Sequence, residues 1–199
     1  MKYLSITILT LFLCSCSSGV MFNHKKASEL DLQQIRSDQY IAIFGEPFRT
    51  TNLVTSDGKY KYVWYYSELR DHFIIGNVAR RTLLLEFKDD QLNGYLYGSS
   101  FDDDKTLVDL SKVNMTKIGK STKDDVISLL GKPSGKALCP SALRDFKDSC
   151  SKASEIWAWW QFEKKNSIRN FDLRGSKTLF VIFDTSGQVI DLKATDNEQ

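Results

Sequence analysis

The chain has 199 residues, 42% of them hydrophobic and 12% aromatic, with a formal net charge of +2. That composition is globular, and the nearly balanced charge gives no electrostatic case for nucleic acid or for a strongly acidic substrate. Beyond the first residues, no apolar run is long enough to span a membrane.

The N-terminus reads as a targeting segment. Lys2 gives it a positive start, and Tyr3 to Leu13 form an apolar run too short to cross a bilayer. Leu13-Cys14-Ser15-Cys16 then resembles a bacterial lipobox, with a leucine three before the cysteine and a small serine just before it. Cleavage there removes residues 1–15 and makes Cys16 the lipidation site, carrying a diglyceride and a further acyl chain such as palmitate. Each buried methylene contributes about 0.8 kcal/mol, so more than one chain gives a stable anchor. Ser17, rather than an aspartate, favours the outer membrane, with the protein facing the periplasm. Residues 16–27 read as a lipidated flexible tether.

Beyond the tether, the elements recur in order. Leu30 to Ile35 is a short helix that returns as Val108 to Val113. Tyr40-Ile41-Ala42-Ile43-Phe44-Gly45-Glu46-Pro47 returns as Val126-Ile127-Ser128-Leu129-Leu130-Gly131-Lys132-Pro133. In both, apolar residues at i, i+3 and i+4 mark one buried helical face, a glycine ends the helix and a proline forbids its continuation. Ser121-Thr122 caps the second copy, with Asp124 and Asp125 in its first turn. The aromatic strand Lys61 to Tyr66 matches Glu155 to Trp160, and Thr82 to Phe87 matches Thr178 to Phe183. A polar turn and a last strand follow each, Leu92 to Tyr97 and Val189 to Lys193. The offset widens from 78 residues at the first match to 96 between Thr82 and Thr178, so the second copy has longer loops. The boundary falls near Ser99 to Lys105, whose acidic run lacks the glycine and bidentate glutamate of a calcium loop and reads as a solvated connector. The expected domains are residues 28–99 and 105–195.

Cys139 and Cys150, eleven residues apart, are left after Cys14 is removed and Cys16 lipidated. In an oxidising compartment they fit one loop-closing disulfide. A redox pair would want a closely spaced Cys-x-x-Cys, and a metal site would want more ligands than His24 and His72 supply. No metal or cofactor is expected.

The phrase Ile118-Gly119-Lys120-Ser121-Thr122 through Gly131-Lys132-Pro133, with the tryptophan-rich strand and the Phe183-Asp184-Thr185-Ser186-Gly187 hairpin after it, resembles the SmpA/OmlA (BamE-like) outer-membrane lipoprotein domain. The resemblance is good over residues 108–193 and weaker over 30–97, where the Gly-x-Ser/Thr entry is missing. It implies an α+β fold of two tandem BamE-like units, each with short helices on one face of a three- to four-stranded antiparallel sheet. A tandem pair of such units also resembles the fold of β-lactamase inhibitor protein. The implied role is a non-enzymatic accessory or scaffold in an envelope assembly, with the β-barrel assembly machinery as a possible partner. The alternative is a periplasmic inhibitor or ligand-binding protein that uses a concave aromatic sheet face.

None of the familiar catalytic sets is legible: no Gly-x-Ser-x-Gly, no His-Glu-x-x-His, no P-loop. His72 reads as a loop histidine, and the pairs Arg80-Arg81 and Lys164-Lys165 as solvated strand ends within reach of anionic headgroups. Strand alternation puts Trp157 and Trp159 on one face and Ala158, Trp160 and Phe162 on the other. Tyr62, Trp64 and Tyr66 likewise oppose Val63 and Tyr65. Short helices cover one face only. The second faces then either pack together under the long loops or stay partly exposed and dock a protein. Tyr65, Trp160, Phe162 and Phe180 are the partner-binding candidates.

Overall fold

The computed structural model describes residues 17–70, 77–141, 150–162, 165–166 and 175–197. The signal segment, Cys16, His72 and Lys164 lie outside the described residues.

Among the described residues, ten antiparallel strands make one sheet. They are β1 (Ser17–Gly19), β2 (Arg49–Thr55), β3 (Gly58–Arg70), β4 (Asn77–Lys88), β5 (Gln91–Ser99), β6 (Gly135–Leu138), β7 (Glu155–Phe162), β8 (Lys165–Asn166), β9 (Ser176–Phe183) and β10 (Val189–Asp196). The order across the sheet is β1-β3-β4-β5-β6-β7-β9-β10, with β2 also on β3 and β8 on β4. Helix α1 (Tyr40–Phe44) and helix α2 (Lys123–Leu130) are short, and among the described residues 3-10 turns at His24–Glu29 and Leu110–Met115 supply the remaining helical structure.

This corrects the expected fold class. There are not two α+β units with separate three- to four-stranded sheets, because β5 and β6 pair directly through Gly94↔Ala137, Tyr95↔Lys136 and Leu96↔Gly135. Glycine makes that seam possible. A Cβ on Gly135 would lie 2.7 Å from the Tyr95 carbonyl oxygen, and one on Gly94 would lie 3.0 Å from the Ala137 Cβ. The sheet therefore runs without a break across the expected boundary, and five- and eight-residue helices are minor cover on it.

Local signals are followed closely where they are strong. Gly45 and Gly131 take φ of 87° and 77° after their helices, a region that favours glycine. Thr122 and Asp125 form a reciprocal capping box at the start of α2. Val63 pairs with Leu85, and at the matched positions Trp157 pairs with Val181.

The helices share one face. Beneath α1 and the N-terminal turns, Phe44 of α1 packs with Val63, Tyr65, Leu83, Leu85 and Tyr95, all buried. Beneath α2 lie Trp157, Trp159, Leu179, Val181 and Phe183. The opposite face carries a third cluster around Leu96, Ile156, Ala158 and Ile182.

The loose tether expected over residues 16–27 is corrected from Ser17 onward. β1 pairs with β3, Ala27 is buried, and Phe22 is only 6% exposed with its ring 5.2 Å from that of Tyr65. Its apolar side chains dock into the core beside α1, which is why the chain does not swing free.

Cys139 and Cys150 are bonded to each other, with Cα atoms 5.3 Å apart. Closing this loop contributes on the order of 3 kcal/mol by restricting the unfolded chain. The start of the loop, through Ser141, is also held by a buried polar knot. Fully buried Glu86 accepts from Asn93 Nδ2 (2.6 Å) and Ser141 Oγ (3.1 Å). Asn93 donates in addition to the Leu138 and Pro140 carbonyls.

Candidate functional site

The face opposite α1 and α2 holds a groove of about 680 Å³ running from β3 to β10. Its shape follows from one row of cross-strand neighbours: Trp64, Leu84, Leu96, Gly135, Ala158, Phe180 and Lys193 pair in succession. The middle of that row is Gly135 and Ala158, while bulky side chains stand on either side. Small residues between large ones make a depression.

The neighbouring row adds Thr82, Thr178 and Thr195 to the lining, with Trp160. β6 ends at Gly135, so Ser134 ties β5 to β7 beyond it: its carbonyl accepts from the Tyr97 N–H (2.9 Å) and its Oγ from the Trp160 N–H (3.0 Å). Trp160 and Phe162, with ring centroids 4.5 Å apart, lie over Gly98. A Cβ at Gly98 would sit 2.8 Å from Phe162 Cε2, so only glycine lets the two rings settle there. At the disulfide end, Cys139, Cys150 and Ala153 pack against the third cluster. Towards the other end it opens at Thr195 and Asn197.

The lining combines aromatic and aliphatic surface with threonine hydroxyls and the Lys193 ammonium. Trp64 is 39% exposed, and Phe48, more exposed still, meets both Trp64 and Tyr66 edge-on or tilted at 6.2 and 6.0 Å. The apolar surface thus continues past the groove onto the β2 edge.

The structure sorts the partner-binding candidates. Trp160 and Phe180 line the groove, half-buried. Phe162 is 5% exposed and acts as the support under Trp160 rather than as contact surface. Tyr65 is a correction: it is 0% exposed, on the helix-covered face, and its hydroxyl donates to the Gly45 carbonyl (2.9 Å). Trp64, Leu84 and Leu96 complete the groove and were not singled out. The repeat itself carried the signal, since the offset that matches Val63 to Trp157 matches Tyr66, not Tyr65, to Trp160.

A second cleft lies on the helix side, where His24 Nε2 is 3.3 Å from Asp103 and 3.8 Å from Asp104. These three could offer ligand atoms to a cation. Arg81, however, already occupies the position of the countercharge. Its guanidinium reaches Asp104 at 2.6 Å and Asp103 at 3.0 Å and lies 4.1 Å over the Phe101 ring. Asp104 also accepts from Ser99 Oγ (2.5 Å) and from the Tyr97 hydroxyl. Burial alone would raise the Asp104 pKa, but Arg81, Ser99 and Tyr97 outweigh it and hold the carboxyl below its ordinary value. The 99–105 segment is therefore a latch, not a solvated connector. Arg81 is no solvated strand end either: it is 3% exposed. Its neighbour Arg80 pairs with buried Glu68 at 3.5 Å.

No protein-family model matches the chain, and no curated protein matches it. Among solved structures, one described as a "putative beta-lactamase inhibitor protein" from Streptococcus mutans is similar, with a TM-score of 0.47 and 13% identity over 88% of this chain and 96% of that one. At that distance the likeness carries no argument, and function is argued from the groove.

Proposed function

We propose that this protein is a non-catalytic binding module of the cell envelope, which captures a protein partner on the face of its sheet opposite α1 and α2. The observation that carries the reading is the groove itself: tryptophan, phenylalanine and leucine around a floor of small residues, with hydroxyls and one ammonium at its margin. Tryptophan and other aromatic anchors in a depression dominate protein-binding energetics, and surrounding polar groups fix orientation. A groove spanning both halves of the sheet can take a protruding loop of a partner, which is the inhibitor-like mode. A place in β-barrel biogenesis rested on a family likeness that no family model supports, and is not part of the proposal.

Anchoring belongs to the same reading. Acyl chains on Cys16 would hold the module at the outer membrane, facing the periplasm, so that the partner is a periplasmic or outer-membrane protein. The support for this is the sequence of residues 1–16.

Thr178→Arg tests the reading, because it places a long charged side chain in the groove from a half-buried position. The wild-type protein, solubilised in detergent, should retain a partner in stoichiometric amount, and the folded variant should not. Equal retention by the two would remove the groove from the account.

A further inference from the structure

We infer that the β3–β4 end of the sheet is the membrane-facing end, held against the lipid headgroups with no slack between the anchor and the fold. The inference rests on the anchoring proposed above and adds the orientation and the surface involved.

The residue after the expected lipidation site is already part of the sheet. Ser17, Ser18 and Gly19 pair with Leu69, Glu68 and Ser67 near the end of β3. Val20 N–H then donates to the Tyr66 carbonyl at 2.8 Å. Gly19, at φ 93°, passes so close that a Cβ would lie 2.2 Å from that same oxygen, so the approach is specific to glycine. Phe22 follows into the core against Tyr65, and the His24 ring meets Asp103. From Ser17 on, every few residues are pinned.

A trans peptide places consecutive Cα atoms about 3.8 Å apart, so an anchor on the residue before Ser17 is tied, by one residue's reach, to the strand position that pairs with Leu69. Acyl chains enter the bilayer at the headgroup level, so this corner of the sheet must sit there too. Leu69 itself is exposed on that corner. The turn at the other end of β3, Thr55 to Gly58, is eleven residue steps from Leu69, about 36 Å at roughly 3.3 Å per residue. β1 and β2 lie end to end along the same edge of β3, so the docked anchor segment also covers an edge that would otherwise be open to pairing.

The test uses the full acylated protein in phosphatidylethanolamine–phosphatidylglycerol vesicles doped with a headgroup-nitroxide lipid. A fluorophore is placed on Leu69→Cys or on Ser56→Cys. The expected result is several-fold stronger quenching at position 69 than at position 56. A Gly-Ser linker inserted between Cys16 and Ser17 should shrink that difference while the folded sheet is retained. Equal quenching at the two positions in acylated, folded protein overturns the inference and leaves anchoring intact. A mass spectrum showing Cys16 without acyl chains overturns the anchoring and the inference together.

Discussion

Replacing Trp160 and Phe180 by alanine is expected to abolish partner capture while leaving the protein folded. The two side chains stand in adjacent rows of the groove, on β7 and β9, and neither reaches the two cores beneath the helices. A well-placed aromatic anchor is worth about 2 kcal/mol or more, a factor of about 30 in Kd for each. The double variant should therefore bind at least several-hundredfold more weakly. Its circular dichroism and its Cys139–Cys150 bond should be unchanged. The contrast is Tyr65→Ala, which removes a fully buried ring and its hydrogen bond to Gly45. That change should cost about 3–5 kcal/mol of stability, and any loss of binding should track loss of fold. Isothermal titration against the captured partner, beside urea unfolding of each variant, separates the two effects. Undiminished binding by the folded Trp160→Ala/Phe180→Ala variant would count against the groove.

Arg81→Ala is expected to be among the most damaging single changes on the helix side. It strips the guanidinium from between Asp103 and Asp104 and leaves the Asp104 carboxylate, with only 16% of its side chain exposed, facing Tyr97, Ser99 and the His24 ring. Removing one partner of a buried pair typically costs about 3–5 kcal/mol, because an uncompensated charge is left behind. The same latch sets an acid sensitivity. The folded-state pKa of Asp104 is depressed, so its contribution is fully present above the unfolded-state value and is lost as pH falls through the folded value. Wild-type stability should therefore decline below about pH 4. In Asp104→Asn that part of the decline should be absent. Urea midpoints measured across this range check both expectations. Arg81→Ala with a wild-type midpoint would show that the pair contributes nothing.

Much of the local structure is legible in the sequence because local chemistry decides it. Gly45 and Gly131 end their helices since a left-handed residue is needed there, and Thr122 caps α2 because its oxygen and the Asp125 carboxylate satisfy orphan donors. Alternation in β7 assigns Trp157 and Trp159 to the covered face and Trp160 to the open one. The same reasoning put Tyr65 on the wrong face, because aromatic residues occupy both faces of β3 and composition cannot say which one the helix covers. β2 was not anticipated at all: its residues are exposed on both faces for nearly its whole length, so no alternation exists to read.

What the sequence withheld is non-local. The union of β5 with β6 depends on backbones meeting at Gly94 and Gly135, and a glycine announces freedom rather than a partner. Docking of Ser17 to Gly19 on β3 is made of main-chain bonds between polar residues that show no strand pattern. Arg81 read as a solvent-facing charge because the 99–105 segment that buries it comes from elsewhere in the chain, and nothing local marks Glu86 as the partner of Ser141. The groove inherits both kinds of information. Its aromatic residues were visible in the chain, but its concavity arises from which residues pair across strands.

Photo-cross-linking from defined positions in intact cells tests the binding face most directly. A photoreactive phenylalanine at Thr178 lies in the groove, and one at Ile127 lies exposed on α2 across the sheet. The expected outcome is one discrete protein adduct from position 178, lost with Trp160→Ala, and none from position 127. Adducts from position 127 with none from position 178 would place the binding surface on the helical side and contradict the account.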